Sequence, residues 1–317
     1  MLNNIKSNYI LKIVIRNHLS KKKYFQLVQK NKNLQQKLEI NLDDYKEYYT
    51  RIFNRTEFEI IPISKLPSDD KYYFIKMREN IKYYHIYFNN DKNEIKRNYI
   101  TNKDKVKKII VKIDMELKSL RGLFADCTAP KEIKFTKFNR EDFTDMTELF
   151  YGCGNLVELD IQKFKTPNVT KMNWMFAMCH YLKELNILNF DTSNVNDMEC
   201  LFSGCISLKE LKFNFNTQNV TNMRNMFYKC KSLKEIDVSN FDTTNVNNFN
   251  AMFYECSNID YLNLENFRLD KKYVTFTSMF ELCNNKLKEN IKKQYKIGEN
   301  GNFRSLFEKV IYYKLNI

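Results

Sequence analysis

Seven of the eight cysteines could do chemistry, because they recur in one register along the chain. They lie 25–27 residues apart, at Cys127, Cys153, Cys179, Cys205, Cys230, Cys256 and Cys283. Stacked copies of such a repeat would bring successive Cα atoms near the separation that a disulfide needs. However, seven is an odd number and no two of these cysteines have C-x-x-C spacing, so the pattern favours buried structural thiols over metal ligands or disulfides. Cys200 lies outside this register, beside Glu199, and we expect it to be more exposed.

Recognised catalytic motifs are missing from the sequence. His18, His85 and His180 are scattered, and no G-x-S-x-G, H-E-x-x-H or G-x-x-x-x-G-K pattern occurs. The chain has only six glycines, which leaves little material for phosphate-binding loops. The sequence therefore predicts a protein that is not an enzyme, with no catalytic residue, no cofactor, no metal and no small-molecule substrate.

The net charge of +14 is unevenly distributed: residues 1–115 carry +12, residues 116–283 carry −3 and residues 284–317 carry +5. A basic end could contact nucleic acid or anionic lipid, but no recognised nucleic-acid-binding motif accompanies it, which disfavours nucleic acid as a partner.

No apolar run of 18 residues occurs, so no membrane span is expected. The N-terminal apolar run is interrupted by Lys12 and closed by Arg16, unlike a signal peptide, so the cytoplasm is the expected compartment.

The cysteine register belongs to a longer repeat with a change of period inside each copy. A phenylalanine lies three residues before each of the seven cysteines, and most copies contain an L-x-x-L-x-L segment such as 156–161. This alternation predicts a short strand with its apolar side chains inward. Met172, Met175, Phe176 and Cys179 then fall at offsets 0, 3, 4 and 7, which predicts a short helix. A period in the twenties lies in the leucine-rich-repeat range.

Such units have to stack, because one strand and one helix cannot bury their own apolar faces. We expect one parallel sheet with about 4.8 Å between neighbouring strands, and inward ladders of Phe, Val, Met and Cys across the repeats. Short amide side chains at one repeat position are expected to hydrogen-bond turn backbone groups: Asn168, Asn194, Asn219 and Asn245. The predicted fold class is therefore α/β: a leucine-rich-repeat solenoid with short parallel strands on one face and short helices on the other.

The repeats resemble a known family over about residues 116–283. The resemblance rests on NFDTSNVNDMECLFSGCISLKELKF at 189–213 and on FNTQNVTNMRNMFYKCKSLKEIDVSNFDTTNVNNFNAMFYEC at 215–256, which are similar to BspA-like leucine-rich repeats. The resemblance implies a right-handed repeat solenoid with adhesive or protein-binding roles and no catalysis. Bacterial members are usually secreted or lipid-anchored, whereas this sequence has neither a signal peptide nor an early cysteine. An intracellular scaffold is thus favoured, and a surface adhesin exported by another route stays as an alternative.

Four regions are expected from the pattern. They are a helical segment at 1–50, a small β-rich capping region at 51–103, the solenoid at 104–283 in units of about 25–27 residues, and a C-terminal cap at 284–317. The solenoid is expected to begin with a divergent unit near residue 104, in which Val106, Ile109 and Val111 repeat the strand spacing. Two strands around Asn89-Asn90-Asp91, with a further strand over Glu57–Ile63, are expected to form a small sheet that covers the open edge.

The N-terminal segment has an apolar pattern formed by Ile10, Ile13, Val14, Leu19, Phe25 and Val28. This pattern resembles an F-box, the helical adaptor that docks substrate receptors onto a ubiquitin ligase. The usual Leu-Pro entry and late Trp are absent, and Lys21, Lys22 and Lys23 stand where an acidic residue is common. The segment is therefore either an adaptor that makes the chain a substrate receptor or a plain helical cap.

The outward strand positions are the candidate partner-binding face. In L-x-x-L-x-L, the residues on either side of the second leucine point away from the core. In successive copies these positions hold Glu132, Glu158, Asp160, Glu184, Asn186, Glu210, Lys212, Glu235, Asp237, Tyr261 and Asn263. A column of like charges is unfavourable by some tenths of a kcal/mol per pair, so it is either kept for a partner or neutralised by adjacent lysines. The sequence thus predicts a non-enzymatic scaffold that binds another protein through this face.

Overall fold

A computed structural model describes residues 55–77, 81–114, 119–269 and 273–294, together with Gln36. The chain divides into two compact regions, Met1–Asn54 and Arg55–Ile317. All described elements belong to the second region. The predicted helical segment at 1–50, with Ile10, Ile13, Val14, Leu19, Phe25 and Val28, lies outside the described residues.

The second region consists mostly of β-sheet and turns. Its strands are β1 (Thr56–Pro62), β2 (Tyr72–Tyr73), β3 (Tyr84–Phe88), β4 (Tyr99–Ile100), β5 (Ile109–Ile113), β6 (Pro130–Lys137), β7 (Glu158–Asp160), β8 (Glu184–Asn186) and β9 (Glu210–Lys212). Two short 3-10 turns span Ile81–Tyr83 and Asn102–Asp104. Within the described part of residues 55–294, α1 (Asn285–Gln294) is the one α-helix.

The first sheet joins an antiparallel N-terminal part to the first parallel strands. Its strand order is β3-β5-β1-β6-β7, in which β1 is antiparallel to both β5 and β6, and β6 is parallel to β7. Every second residue of β1 is buried, and Phe58 pairs with Val111 on one side and Phe135 on the other. The strand predicted at Glu57–Ile63 is therefore present, shifted by one residue, and it covers the edge of β6 that would otherwise be open.

Two expectations for the N-terminal part of this region need correction. The strand of the predicted divergent repeat unit near residue 104 is not a repeat strand, because β5 pairs antiparallel with β1 and β3, and β6 is the first strand of the parallel series. The turn of that unit does follow the repeat, since the N–H of Phe124 donates to the carbonyl of Leu149 in the next copy. Burial of every second residue in β5 satisfies the same apolar spacing as a repeat strand. The predicted hairpin is also incomplete: after the turn at Asn89 and Asn90, the returning chain makes a single bridge, Ile86 to Ile95, and β4 then pairs with β2.

The second half of each repeat is a series of tight turns, which corrects the predicted short helices. In the copy at 172–179, the N–H groups of Met175, Ala177 and Cys179 each donate to the carbonyl three residues back, at 3.2, 3.2 and 3.3 Å. Trp174 and Met178 have positive φ, 62° and 61°, which a right-handed helix excludes. The apolar spacing of Met172, Met175, Phe176 and Cys179 therefore reflects consecutive turns, which bury the same four side chains that a helix would bury.

The remaining N–H groups of these turns join one repeat to the next. The N–H of Phe150 donates to the carbonyl of Met175 at 2.8 Å, and that of Phe176 donates to the carbonyl of Leu201 at 3.0 Å. In each repeat from the second to the sixth, alternate N–H groups of the turn segment donate to the following repeat in this way. Parallel bridges link the equivalent residues Asp145, Lys171, Asp197, Asn222, Asn248 and Thr275. The backbone satisfies its polar groups partly within a turn and partly between repeats, as buried backbone requires.

A ladder of aromatic rings runs through the core. Phe124, Phe150, Phe176, Phe202, Phe227, Phe253 and Phe280 stack at centroid distances from 5.3 to 5.7 Å, with interplanar angles of at most 14°. All seven rings are fully buried. The expected inward ladder of phenylalanines is therefore confirmed.

Polar side chains form ladders at the turns. The side-chain amides of Asn168, Asn194, Asn219 and Asn245 donate to the carbonyls of Glu141, Pro167, Ser193 and Gln218 in the preceding repeat. Thr166 and Thr192 donate in the opposite direction, to the carbonyls of Asp191 and Asn216 in the following repeat. The predicted role of the four asparagines is confirmed, and the paired ladders fix the spacing between repeats.

Additional chain covers parts of both ends of the series. At the first repeat, the N–H groups of Lys76 and Ile63 donate to the carbonyls of Leu123 and Ala129. At the last extended segment, the side-chain amide of Gln294 in α1 donates to the carbonyl of Leu262 and accepts from the N–H of Leu264. Leu287 and Ile291 of α1 are fully buried in the same core.

Candidate protein-binding face

A groove of about 620 Å³ lies across the outer faces of the first four repeat strands. It extends from Glu59 and Ile61 on β1 to Glu210 and Lys212 on β9. Its partly exposed apolar side chains are Ile61, Val157 and Leu159, whereas the side chains of Ile133 and Leu185, which also border it, are buried in the core. The Glu210 and Lys212 side chains are 61% and 62% exposed, so the groove is an open surface feature at this end.

Parallel pairing aligns the groove residues in columns. Glu132 lies opposite Glu158, and Lys134 lies opposite Asp160, between β6 and β7. Glu184 lies opposite Glu210, and Asn186 lies opposite Lys212, between β8 and β9. Since side chains alternate across a strand, Leu185 is buried while Glu184 and Asn186 are exposed. The repeat therefore positions acidic side chains side by side on an outward face.

The groove carries more acidic than basic side chains. Six acidic residues line it (Glu59, Glu132, Glu158, Asp160, Glu184 and Glu210), against three lysines (Lys134, Lys183 and Lys212). The Nζ atom of Lys131 lies 3.0 Å from Oε1 of Glu132. The nitrogen–oxygen distances in the pairs Lys134–Asp160 and Lys212–Glu210 are longer, at 3.8 and 3.9 Å. Among the described residues, Glu158 and Glu184 have no ion-pair partner. Stacking of like charges costs free energy, and neither carboxylate has an ion-pair partner that offsets this cost, although Lys131 interacts with the charge of Glu158 from beyond ion-pair distance.

The columns also affect a neighbouring lysine. A hydrogen bond to Glu132 raises the pKa of Lys131, and the charges of Glu132 and Glu158 add to this effect. The field of the acidic column therefore favours a positive group at the edge of the groove.

The structure brings together most, but not all, of the predicted face. Seven predicted residues line the groove: Glu132, Glu158, Asp160, Glu184, Asn186, Glu210 and Lys212. Glu235, Asp237, Tyr261 and Asn263 do not line it and lie in segments without strand pairing. Asp237 accepts hydrogen bonds from Ser239, and the Asn263 side chain accepts one from the N–H of Glu265. In these last repeats the side chains of Glu235, Asp237 and Tyr261 are exposed, as predicted, but their backbones are not paired as strands.

Glu59, Ile61 and Lys183 were not placed in the groove from the sequence. Glu59 and Ile61 belong to β1, which pairs with β6 through Glu59–Lys134 and Ile61–Glu132. The alternation along β1 was visible in the sequence, but its pairing partner was not. Lys183 precedes Glu184 directly and was interpreted only as a neutralising neighbour, although it lines the groove.

The cysteines form a buried column, distinct from the groove. All eight thiols are free and buried. Burial raises the pKa of Cys205 and Cys127 to about 12, which keeps these thiols protonated and unreactive near neutral pH. The expectation that Cys200 is exposed was wrong: it is fully buried, and burial raises its pKa to about 12. That expectation rested on the position of Cys200 outside the repeat register and beside Glu199, whereas Cys200 lies in a turn with φ of 55°.

A second polar cluster surrounds His85 on β3. The Nδ1 atom of His85 lies 3.0 Å from Oε1 of Glu94, and its Nε2 atom lies 3.3 Å from Oδ2 of Asp114, which Arg55 also contacts. This arrangement fixes the ring between two carboxylates and is an ion-pair cluster of the antiparallel sheet.

In the portion of the chain that the structure describes, no group of three or more His, Cys, Asp or Glu side chains has an arrangement that could hold a metal ion. No described helix is long and apolar enough to cross a membrane.

The fold and the groove together define a repeat protein whose turns bond from one copy to the next and whose strands present a charged outer face. The family model described as "Mycoplasma protein of unknown function, DUF285" matches residues 118–212 and 208–317. These matches cover more than half of the chain, which therefore belongs to this family. No curated protein and no solved structure matches the chain significantly.

Proposed function

We propose that this protein is a non-enzymatic repeat scaffold, a leucine-rich-repeat-like solenoid of the BspA type, that binds another protein in the groove across β6–β9. The single observation that carries the proposal is the pair of carboxylates without ion-pair partners, Glu158 and Glu184, in an acidic column beside the partly exposed side chains of Ile61, Val157 and Leu159. The partner that fits this chemistry is a protein segment with lysine or arginine beside apolar side chains. Electrostatic complementarity of this kind speeds association and selects among partners.

The shape and the exposure of the groove favour a protein over a small molecule. Small-molecule pockets enclose most of the ligand surface and are predominantly apolar. Here Glu210 and Lys212 remain mostly exposed, and nine of the lining side chains are charged. An extended polypeptide can use such a surface, because it contributes apolar contacts and charge pairs along its length.

Charge reversal of the two unpartnered carboxylates tests the proposal. The double variant Glu158→Lys with Glu184→Lys should fold as the wild type does, because Glu184 is exposed and neither residue forms an ion pair within the described chain. Affinity purification from the source cells, followed by quantitative mass spectrometry, should then show loss of the proteins that the wild type retains. We expect roughly a tenfold or greater loss, equivalent to about 1.4 kcal/mol or more in binding free energy.

The matched control carries the same change in net charge elsewhere. Glu141→Lys with Glu265→Lys alters two exposed carboxylates outside the groove and should retain the wild-type partners. If the groove variant retains the same proteins as the control, the groove is not the binding site. If neither the wild type nor the control retains any protein specifically, the scaffold proposal itself fails.

A further inference from the structure

One glutamate from each of the four groove strands β6–β9 belongs to a continuous column. This glutamate column consists of Glu132, Glu158, Glu184 and Glu210. Neighbouring glutamates lie opposite each other within the pairs β6–β7 and β8–β9. The register continues from β7 to β8, because the N–H of Lys183 donates to the carbonyl of Val157 at 3.5 Å, one repeat back. The N–H of Lys209 donates to the carbonyl of Lys183 in the same way, at 2.8 Å. The column is therefore uninterrupted over four repeats.

The adjacent column does not share this negative charge. Two residues further along the four strands stand Lys134, Asp160, Asn186 and Lys212. Two lysines, one aspartate and a neutral asparagine give this second column a net charge of +1, against −4 for the four glutamates. A complementary partner therefore needs its positive charges on a single line, with about one cation for each repeat.

Partly exposed apolar side chains lie beside one end of the glutamate column. In the copies that contain β6, β8 and β9 a lysine directly precedes the column glutamate, whereas Val157 stands at this position before Glu158. Leu159 follows Glu158, and Ile61 of β1 pairs with the column residue of β6. The side chains of Val157, Leu159 and Ile61 are all partly exposed. Apolar contact next to the charged line is thus available over β6 and β7.

The spacing of the column is close to one turn of an α-helix. Paired strands lie about 4.8 Å apart, so the first and fourth strands are separated by about 14 Å. The ladder rings of the same repeats are 5.3–5.7 Å apart. An α-helix rises about 5.4 Å per turn, and residues at i, i+3, i+7 and i+10 form one line about 15 Å long. Residues on one side of an extended segment are about 6.8 Å apart, so four of them span about 20 Å and lose register with the carboxylates.

We propose that the partner segment in this groove is an α-helix with one line of lysine or arginine along the glutamate column and apolar side chains beside that line over β6 and β7. This inference rests on the proposed function and specifies the conformation and the side-chain spacing of the partner. The net charge of +14 repels basic segments from the molecule as a whole. A basic helix is therefore attracted mainly where carboxylates outnumber lysines, as they do in the groove.

Binding of synthetic peptides to the full chain tests the helical spacing. The helical probe has lysine at i, i+3, i+7 and i+10, leucine next to this line, alanine and glutamine elsewhere, and a side-chain staple on the opposite face. The scattered probe has the same composition and staple, with its four lysines distributed around the helix. The alternating probe has the same composition without the staple, with lysine at every second position. By isothermal titration calorimetry, the helical probe should bind at least about tenfold more tightly than either of the others.

Variants of the column show whether the helical probe binds in the groove. Glu158→Gln with Glu184→Gln removes the two central charges and should weaken binding of the helical probe by about tenfold or more. Glu141→Gln with Glu265→Gln makes the same change at two exposed carboxylates outside the groove and should leave the affinity unchanged.

Two results would overturn the helical assignment while the proposed protein-binding function stands. One is equal affinity of the helical probe and the alternating or the scattered probe, with each weakened by the groove variant. The other is a helical probe that does not bind, or that binds the wild type and the groove variant equally well. The proposed function fails separately, when the charge-reversed chain retains the same cellular proteins as its control.

Discussion

Each repeat thiol is both a space-filling group and a hydrogen-bond donor. From Cys153 to Cys283 the repeat thiols donate one repeat back: the Cys153 thiol donates to the carbonyl of Phe124 at 3.1 Å, and the Cys283 thiol donates to that of Phe253 at 3.0 Å. The Cys127 thiol instead donates to the carbonyl of Ala125 in its own turn, at 3.8 Å. The register and burial of the cysteines could be predicted from their spacing. Their acceptors could not, because that contact depends on which carbonyl of the preceding turn faces the sulfur atom.

Alkaline pH should destabilise the fold through these thiols. Burial raises the pKa of Cys205 to about 12, whereas an unfolded thiol titrates near 8.5. Below about pH 8.5 both states keep the proton and the full stability is present. At higher pH only the unfolded state loses the proton, so the free energy of unfolding falls by about 1.4 kcal/mol per pH unit per thiol until the folded thiol titrates.

Urea unfolding in the presence of reductant, between about pH 7 and pH 10.5, measures this dependence. The Cys205→Ala variant should show a slope shallower by the contribution of one thiol, which separates the cysteines from lysine and tyrosine titration. Identical slopes for the two proteins would contradict the inference.

Truncation of one ladder ring should be costly. Phe202 is fully buried and stacks on Phe176 at 5.6 Å and on Phe227 at 5.5 Å. We expect Phe202→Ala to lower the free energy of unfolding by about 3–5 kcal/mol, because it leaves a cavity with partners on both sides. Chemical denaturation measures the change, and exposed Lys209→Ala should stay within about 0.5 kcal/mol of the wild type. A loss below 1 kcal/mol for the phenylalanine variant would mean that adjacent repeats close the gap.

At the level of the element, the turn segments were the main failure of sequence reasoning. The residues Met172, Met175, Phe176 and Cys179 are all buried, as a helix would bury them, and so the apolar spacing could not distinguish the two backbones. The distinguishing feature is conformational: two residues four positions apart have positive φ in each repeat, such as Asn225 and Lys229. Glycine would have revealed it, but only Gly122, Gly152 and Gly204 occupy these positions. The strands and the asparagine ladder carry local signals and were predictable.

Two neighbouring lysines provide a test of this backbone. Lys229 and Lys231 both contact Glu255, at 3.8 and 2.5 Å, and are 40% and 41% exposed. Lys229 has φ of 58°, whereas Lys231 has no positive φ. A β-branched residue is strained at positive φ, so Lys229→Val should lower the free energy of unfolding by about 1–2 kcal/mol more than Lys231→Val.

Thermal or urea unfolding of the two valine variants gives the comparison. Equal losses would show that position 229 tolerates a branched side chain and would argue against the left-handed turn. Lys229→Gly should recover the loss, because glycine adopts positive φ without steric cost.

At the level of the whole molecule, stacking was predictable and the N-terminal sheet was only partly so. Stacking follows from the repeat length and from apolar faces that no single copy can bury. The position of β1 between β5 and β6 is a long-range pairing, and alternating residues in β1 give no indication of which strands flank it. The columns of groove residues could therefore be predicted from the repeat. The contribution of β1 to the groove could not, because it depends on the pairing of β1 with β6.

Removal of whole repeats should preserve the fold. Deletion of residues 180–230 joins Cys179 to Lys231, the residue that follows Cys230, and so removes two copies in register. We expect a shorter folded protein that unfolds cooperatively with a smaller denaturant dependence, because less surface is exposed on unfolding. Deletion of residues 180–217 breaks the register and should yield an unfolded chain by circular dichroism. If the in-register deletion is also unfolded, the copies are not equivalent stacking units.

The bonds between turn segments all run in one direction, and this gives the molecule an electrical polarity. The peptide group that joins Leu149 to Phe150 has its carbonyl directed at the preceding repeat and its N–H at the following one. Each such peptide has a dipole of about 3.5 D, and parallel dipoles add, as they do in a helix. The first repeat is the negative end, because its carbonyl groups point outward from the series. Lys76 lies at this end: its N–H donates to the carbonyl of Leu123, and its charge acts on the Cys127 thiol. The opposite pole, at Ser278, Phe280 and Leu282, is positive, so the two ends of the series differ in electrostatic sign even where their side chains are alike.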